Sequence, residues 1–120
     1  MNRWALLEHK IVVNNLIDIH YDFLIEDQLE CITWKFNEIP SLNKDYVEIA
    51  KQPNHRLVWL SRVQHKLSNN RGFVKRIDHG TFSCIFNNKD SQGLKIKLNG
   101  KLLKGLLTIE GNFCKLTKNN

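Results

Sequence analysis

At 120 residues, with 42% hydrophobic and 25% charged side chains, the chain has the composition of an ordinary soluble domain and can bury a core without disulfide or metal staples. No apolar run approaches the ~18 residues that span a bilayer, and Met1-Asn2-Arg3-Trp4 lacks the apolar stretch and cleavage site of a secretory signal. The net charge of +6 is uneven: residues 1–50 carry four basic against nine acidic side chains (−5), residues 51–120 fourteen against three (+11), a surplus that attracts polyanions, nucleic acid first among them.

Residues 4–8 form a short apolar run that reads as a strand. Residues 20–26 and 31–36 read as a strand pair joined by Asp27-Gln28-Leu29-Glu30. Residues 39–52 are the one stretch that can hold a helix, between Pro40-Ser41 and Pro53, although their apolar spacing is sparse. Residues 56–62 alternate Val58 and Leu60 against Leu57 and Trp59, another strand. Residues 72–77 and 81–86 flank Asp78-His79-Gly80, which reads as a turn. The strongest local signal is Leu94-Lys95-Ile96-Lys97-Leu98, then Asn99-Gly100, then a return over residues 102–109. Asn-Gly suits a type I′ turn, with the lysines solvated and Leu94, Ile96 and Leu98 in the core. Glu110-Gly111-Asn112 turns into a closing strand at residues 113–116, and residues 117–120 fray. Seven or eight short strands with little helix and no linker predict one mainly β domain over residues 1–120, a small closed or nearly closed β-barrel. Cys31, Cys84 and Cys114 are odd in number, with no C-x-x-C pair. They read as free thiols in a reducing compartment, which places the protein in the cytoplasm.

His20-Tyr21-Asp22-Phe23-Leu24-Ile25-Glu26 is the most informative segment. On a strand His20, Asp22 and Leu24 share one face, and Tyr21, Phe23 and Ile25 form the opposite, apolar one. An imidazole and a carboxylate at i and i+2 can both reach one divalent cation; that donor pair suits manganese, iron or zinc better than calcium. By pattern alone the triplet also fits an exposed His–Asp hydrogen bond with no ion.

Several segments together resemble a known family. They are Glu8-His9 after an apolar strand, Ile19-His20-Tyr21-Asp22-Phe23-Leu24-Ile25-Glu26, and Thr33-Trp34-Lys35-Phe36. In the same order follow Asn54-His55-Arg56-Leu57-Val58-Trp59, Asn69-Asn70-Arg71-Gly72-Phe73-Val74 and Asp78-His79-Gly80-Thr81-Phe82. This series is similar to the 3′-phosphoesterase domain of bacterial DNA ligase D, and more particularly to its short stand-alone relatives, from about Trp4 to about Phe113. The resemblance implies a compact β-barrel whose cavity binds a manganese-type ion, with zinc or another transition metal as the alternative. It also implies action on the 3′ ends of DNA, removing a terminal ribonucleoside or phosphate for a DNA ligase or polymerase on a separate chain, with no membrane involved. By the same resemblance His9, His20 and Asp22 match the metal ligands, and His55 a histidine on the scissile phosphate. Two positions depart from the pattern. Leu24 stands where the family carries an arginine two residues after the aspartate, and Trp59 where active domains carry a tyrosine. Residues 11–19 look inserted or looped relative to the family. Leu24 is expected to point into the same cavity as His20 and Asp22, without the clamp an arginine makes on phosphate.

The expected function is therefore a metal-dependent 3′-end-processing phosphoesterase, or a relative of it with reduced activity, with His55 and Trp59 at the chemistry. The alternative is a non-catalytic DNA-end-binding module on the same barrel. Arg56, Arg62, Arg71, Arg76, Lys95 and Lys97 are the candidates for phosphate or DNA contact. His65 reads as a solvated loop histidine and His79 as structural. Trp4 and Trp34 read as core, whereas Trp59 suits core packing or base stacking about equally.

Overall fold

A computed structural model describes residues 2–67, 71–88 and 93–119. Among the described residues nine strands follow one another: β1 (Arg3–Val13), β2 (Leu16–Asp27), β3 (Glu30–Phe36), β4 (Val47–Arg56), β5 (Gln64–Lys66), β6 (Phe73–Asn88), β7 (Gly93–Asn99), β8 (Lys104–Glu110) and β9 (Phe113–Thr117). Hydrogen bonding runs β1-β2-β3-β4-β9-β8-β7-β6 and back to β1, a closed ring of eight antiparallel strands with β5 appended to β6. The β4–β9 seam is the thinnest, with two registered pairs, Val47↔Cys114 and Glu48↔Phe113. Among the described residues no helix is long and apolar enough to cross a membrane.

Strand alternation sorts the side chains into two cores. Trp4, Leu6, Phe23, Ile25, Trp34, Phe36, Val47 and Ile49 meet Leu94, Ile96, Leu98, Leu107, Ile109 and Leu116 across the ring and fill its interior. The alternate residues of the first strands, Ala5, Leu7, Leu24 and Cys31, join Val74 and Leu60 in a second cluster on the outer face. Trp4 and Trp34 are thus core, as expected, and Trp4 Nε1 donates to the Thr81 carbonyl at 3.0 Å. Lys97 is solvated and Lys95 half-buried opposite the buried Leu94, Ile96 and Leu98. Arg3 closes the start of β1 onto β2, donating from Nε and Nη2 to the Glu26 carboxylate at 3.0 and 2.9 Å. That pairing holds the Glu26 carboxyl down at about 2. The three thiols are free; Cys31 and Cys114 are buried, which pushes them up to about 11 and about 12, while Cys84 is exposed.

Three local expectations are corrected. Residues 39–52 hold no helix: the chain turns through residues 42–43 and enters β4, where Val47 and Ile49 alternate inward against Glu48 and Ala50. Pro53 is tolerated in that strand because the register against β3 shifts there, leaving Ile32 opposite a bulge. Residues 56–62 are not a strand; Leu57–Leu60 make a 3-10 turn that lays Leu57, Trp59 and Leu60 onto the outer cluster. Asp78-His79-Gly80 is not a turn either, because β6 runs straight through it as a 16-residue strand shared by both halves of the ring. Residues 11–19, read as inserted or looped, form the end of a hairpin, in which β1 and β2 run on to a turn at Asn14 and Asn15 (φ +51° and +64°).

The β7–β8 turn also differs from its reading. Asn99 pairs with Lys104, so four residues connect the strands, and neither Asn99 nor Gly100 takes positive φ. The buried Asp78 carboxylate accepts the amides of Lys101, Leu102 and Leu103 at 2.8–2.9 Å and reshapes the loop. A Cβ on Gly100 would lie 2.5 Å from Asp78 Oδ2 and 2.6 Å from the Trp4 ring, so a side chain cannot replace it without displacing both.

Candidate metal centre

The register of β1 and β2 makes His9 and His20 a direct cross-strand pair, and alternation puts Asp22 on the same outer face. His9 Nδ1 lies 3.1 Å from His20 Nε2, and His20 Nε2 lies 3.5 Å from Asp22 Oδ1. The rings meet edge to face at 4.6 Å. One donor atom from each residue lies within 4.8 Å of the others. His9 is oriented from behind, its Nε2–H donating to the Arg71 carbonyl at 2.7 Å, which leaves the Nδ1 lone pair facing the cluster. Gly72 makes that contact possible. Its φ is +94°, and a Cβ there would come within 2.1 Å of the Lys10 carbonyl oxygen.

The donor set fits a divalent transition-metal ion. Ligand atoms bonded at about 2.1 Å sit about 3–3.5 Å apart around such an ion, which is the spacing of the two closest contacts here. Burial lowers the His20 pKa, with Asp22 opposing and His9 and Lys35 adding to the shift. The shift favours the neutral imidazole, the form that ligates. His20 Nδ1 is buried and has no hydrogen-bond partner among the described residues. Three protein donors leave a coordination position for water or substrate.

The cluster forms one wall of a cavity of about 390 Å³. Leu7, Leu67 and Val74 supply its apolar surface, and Lys35, Gln52, His55, Trp59 and Arg71 complete the lining. It opens on the outer face of the ring. Side chains from both halves of the ring meet in its interior, so the cavity that carries the three donors lies outside that core.

His55 and Trp59 both reach this cavity, by a route the strand reading missed. The chain leaves β4 after Arg56 and folds back through the 3-10 turn, so the His55 and Trp59 rings meet edge to face at 6.5 Å. His55 Nδ1–H donates to the Pro53 carbonyl at 3.2 Å, leaving Nε2 for the cavity. Trp59 is already engaged, with the Arg62 guanidinium 4.8 Å from its centroid and the half-buried His65 ring edge-on at 5.4 Å. His65 is thus part of β5 and packed, not a solvated loop residue.

The basic candidates separate cleanly. Arg71 lines the cavity; its motif neighbours Asn69 and Asn70 lie outside the described residues. Arg62 covers Trp59, and Arg76 Nη1 donates to the Leu60 carbonyl at 2.8 Å and buttresses the 3-10 turn. Arg56 is exposed at the end of β4 and does not line the cavity. Lys95 and Lys97 sit on β7, on the opposite half of the ring. Leu24 shares the face of His20 and Asp22 but is 0% exposed, sealed in the apolar floor beneath the cavity. It does not point into the cavity as expected.

Two lining residues were overlooked. Lys35 is the cross-strand partner of Asp22, and Gln52 that of Thr33 beside it. The signal for Lys35 was present in Thr33-Trp34-Lys35-Phe36: with Trp34 and Phe36 in the core, Lys35 must face the site. A scan of the chain against models of known protein families finds no match, and a search of curated proteins finds none.

Proposed function

We propose that this protein is a divalent-metal-dependent phosphoesterase acting at nucleic-acid ends, with His9, His20 and Asp22 holding the ion. The observation that carries the reading is the convergence of two imidazoles and a carboxylate on the wall of a cavity that also holds Lys35, His55 and Arg71. When bound, a divalent ion of this kind polarises a phosphoryl oxygen and acidifies a coordinated water. Lys35 and Arg71 place two cations where a phosphate's remaining charge needs them. The orientation of His55, with Nδ1 tied to a carbonyl, suits it to exchange a proton with the leaving or attacking oxygen. The +11 balance of residues 51–120 supports a polyanionic substrate; DNA 3′ ends, and a ligase or polymerase as the consumer of the 3′-hydroxyl, come from the resemblance described above.

A second reading, a DNA-end-binding module without turnover, is favoured by one observation: no arginine occupies position 24, and Leu24 is sealed in the floor. Manganese-dependent hydrolysis of a 3′-phosphorylated oligonucleotide separates the two. We expect slow but measurable release of inorganic phosphate, abolished by Asp22→Ala and lowered about 10²-fold by His55→Ala. Tight, salt-sensitive DNA binding with no phosphate release would select the binding module instead.

A further inference from the structure

The half of the ring opposite the metal cluster holds a second cavity, of about 580 Å³, which shares no lining residue with the first. It lies where β7 runs out, β8 begins and the chain leaves β9, with Leu42 of the β3–β4 connection also in its wall. Three lysines line it, Lys97, Lys104 and Lys118, together with the neutral Asn99 and Asn119 and no carboxylate. All three lysines are exposed, and among the described residues no acidic side chain pairs with any of their ammonium groups. Like charges gathered round one concavity repel one another until an anion sits among them. The charge continues beyond the cavity. Lys95 follows Lys97 on the same face of β7, about 7 Å further on, and Lys115 lies in the cross-strand row of Lys95, through Thr108. Glu110 and Asp45 stand at the far end, beside Lys115.

We infer that this lysine strip is a second nucleic-acid surface, which holds the phosphate backbone of a duplex and works without the ion and without a strand end. Charge complementarity points to a polyanion, and three observations choose which one. From Lys104 to the row of Lys95 and Lys115 the strip runs four residues along β8, about 14 Å, or some four times the 3.4 Å rise per nucleotide of one strand. A strip of that length follows a backbone better than it cradles one compact anion. Its cations are all lysines, mobile point charges on long stems that meet phosphates whatever the base sequence. Finally, no aromatic side chain lines the cavity, so the bases of a single strand would find no ring to stack on. A duplex keeps its bases stacked on one another and presents phosphates outward. Tyr46 and Phe113, the aromatic pair nearest the strip's row of Lys115, pack edge to face on each other at its acidic end.

The test measures binding of the full chain to a relaxed, covalently closed circular duplex, which has no ends, in the presence of a chelator that removes divalent ions. The wild type should bind it, with log K falling against log salt at a slope of about −3 or steeper, one counterion released per lysine in contact. Lys97→Gln/Lys104→Gln/Lys118→Gln changes exposed side chains only and should melt like the wild type. It should weaken duplex binding at least tenfold at about 50 mM salt and flatten the slope by about 3. Manganese-dependent phosphate release from a 3′-phosphorylated dinucleotide, too short to reach the strip, should be unchanged in the triple variant. Failure of the wild type to bind the circle at low salt, or equal binding by the triple variant, would overturn the inference and leave the phosphoesterase reading standing. Tighter binding of a single-stranded circle than of the duplex would overturn it in favour of a single-strand surface. Displacement of the duplex by one tripolyphosphate per chain, lost in the triple variant, would overturn it in favour of a small-anion pocket. Loss of phosphate release along with duplex binding would make the lysines part of the metal site's substrate path and equally overturn it.

Discussion

Replacing Asp78 by alanine is expected to destabilise the protein by about 3–5 kcal/mol, because three loop amides that now donate to a charged carboxylate lose their acceptor at once. Lys101, Leu102 and Leu103 point their N–H groups at Asp78 from 2.8–2.9 Å, and the His79 amide adds a fourth donor at 3.0 Å. Asp78 is 3% exposed, so water cannot take the place of its carboxylate without the loop opening. Opening would also lift Leu103, which is fully buried, out of the interior core. A fall in melting temperature of roughly 10–20 °C should follow. Asp78→Asn should recover only part of the loss, since an amide oxygen accepts but its NH₂ would face amide donors. A thermal melt of Asp78→Ala within a few degrees of the wild type would show that the β7–β8 loop is held by something else.

Leu24→Arg is the second large effect, and it runs against the simplest use of the family pattern. Adding the arginine that the pattern carries looks like a way to restore a phosphate clamp. Here the side chain would enter a floor made of Ala5, Leu7, Cys31 and Val74, with no exposed surface to snorkel toward. An unpaired guanidinium in such a place costs about 3–5 kcal/mol. The expected outcome is a lower urea midpoint and no gain in phosphate release. Leu24→Met, which conserves volume, should cost less than about 1.5 kcal/mol and serves as the control. A stable Leu24→Arg with raised turnover would mean that the floor opens onto the cavity.

Most of the strands were legible because one buried face imposes a period of two, as in Leu94-Lys95-Ile96-Lys97-Leu98 and in residues 20–26. The convergence of His9, His20 and Asp22 was legible for the same reason, with resemblance supplying His9. What alternation cannot tell is which face of a strand looks inward once both are covered. The outer face of β1, β2 and β3 carries Ala5, Leu7, Leu24 and Cys31 as well as His9, His20 and Asp22, so a second core and the site share it. The 3-10 turn at Leu57–Leu60 was misread because four apolar residues in a row fit either a strand or a tight helix. The hairpin at Asn14-Asn15 was missed because apolar residues flank it on both faces and no alternation announces it. Asp78-His79-Gly80 looked like a turn by composition; the aspartate instead shapes a loop 23–25 residues downstream, a contact that local propensity does not encode. Lys35 needed only the register of β3 against Asp22, which was implicit in the core assignment of Trp34 and Phe36.

The central claim is that His9, His20 and Asp22 form a metal site, and a manganese titration of the full chain, followed by calorimetry and by thermal melting, tests it most directly. One ion per chain is expected. At a hundredfold excess over Kd it should stabilise the fold by about 2.7 kcal/mol, roughly 10 °C in melting temperature. Asp22→Ala, His9→Ala and His20→Ala should each abolish both signals. A wild-type melt unmoved by manganese or zinc, or a shift that survives in all three variants, would contradict the site.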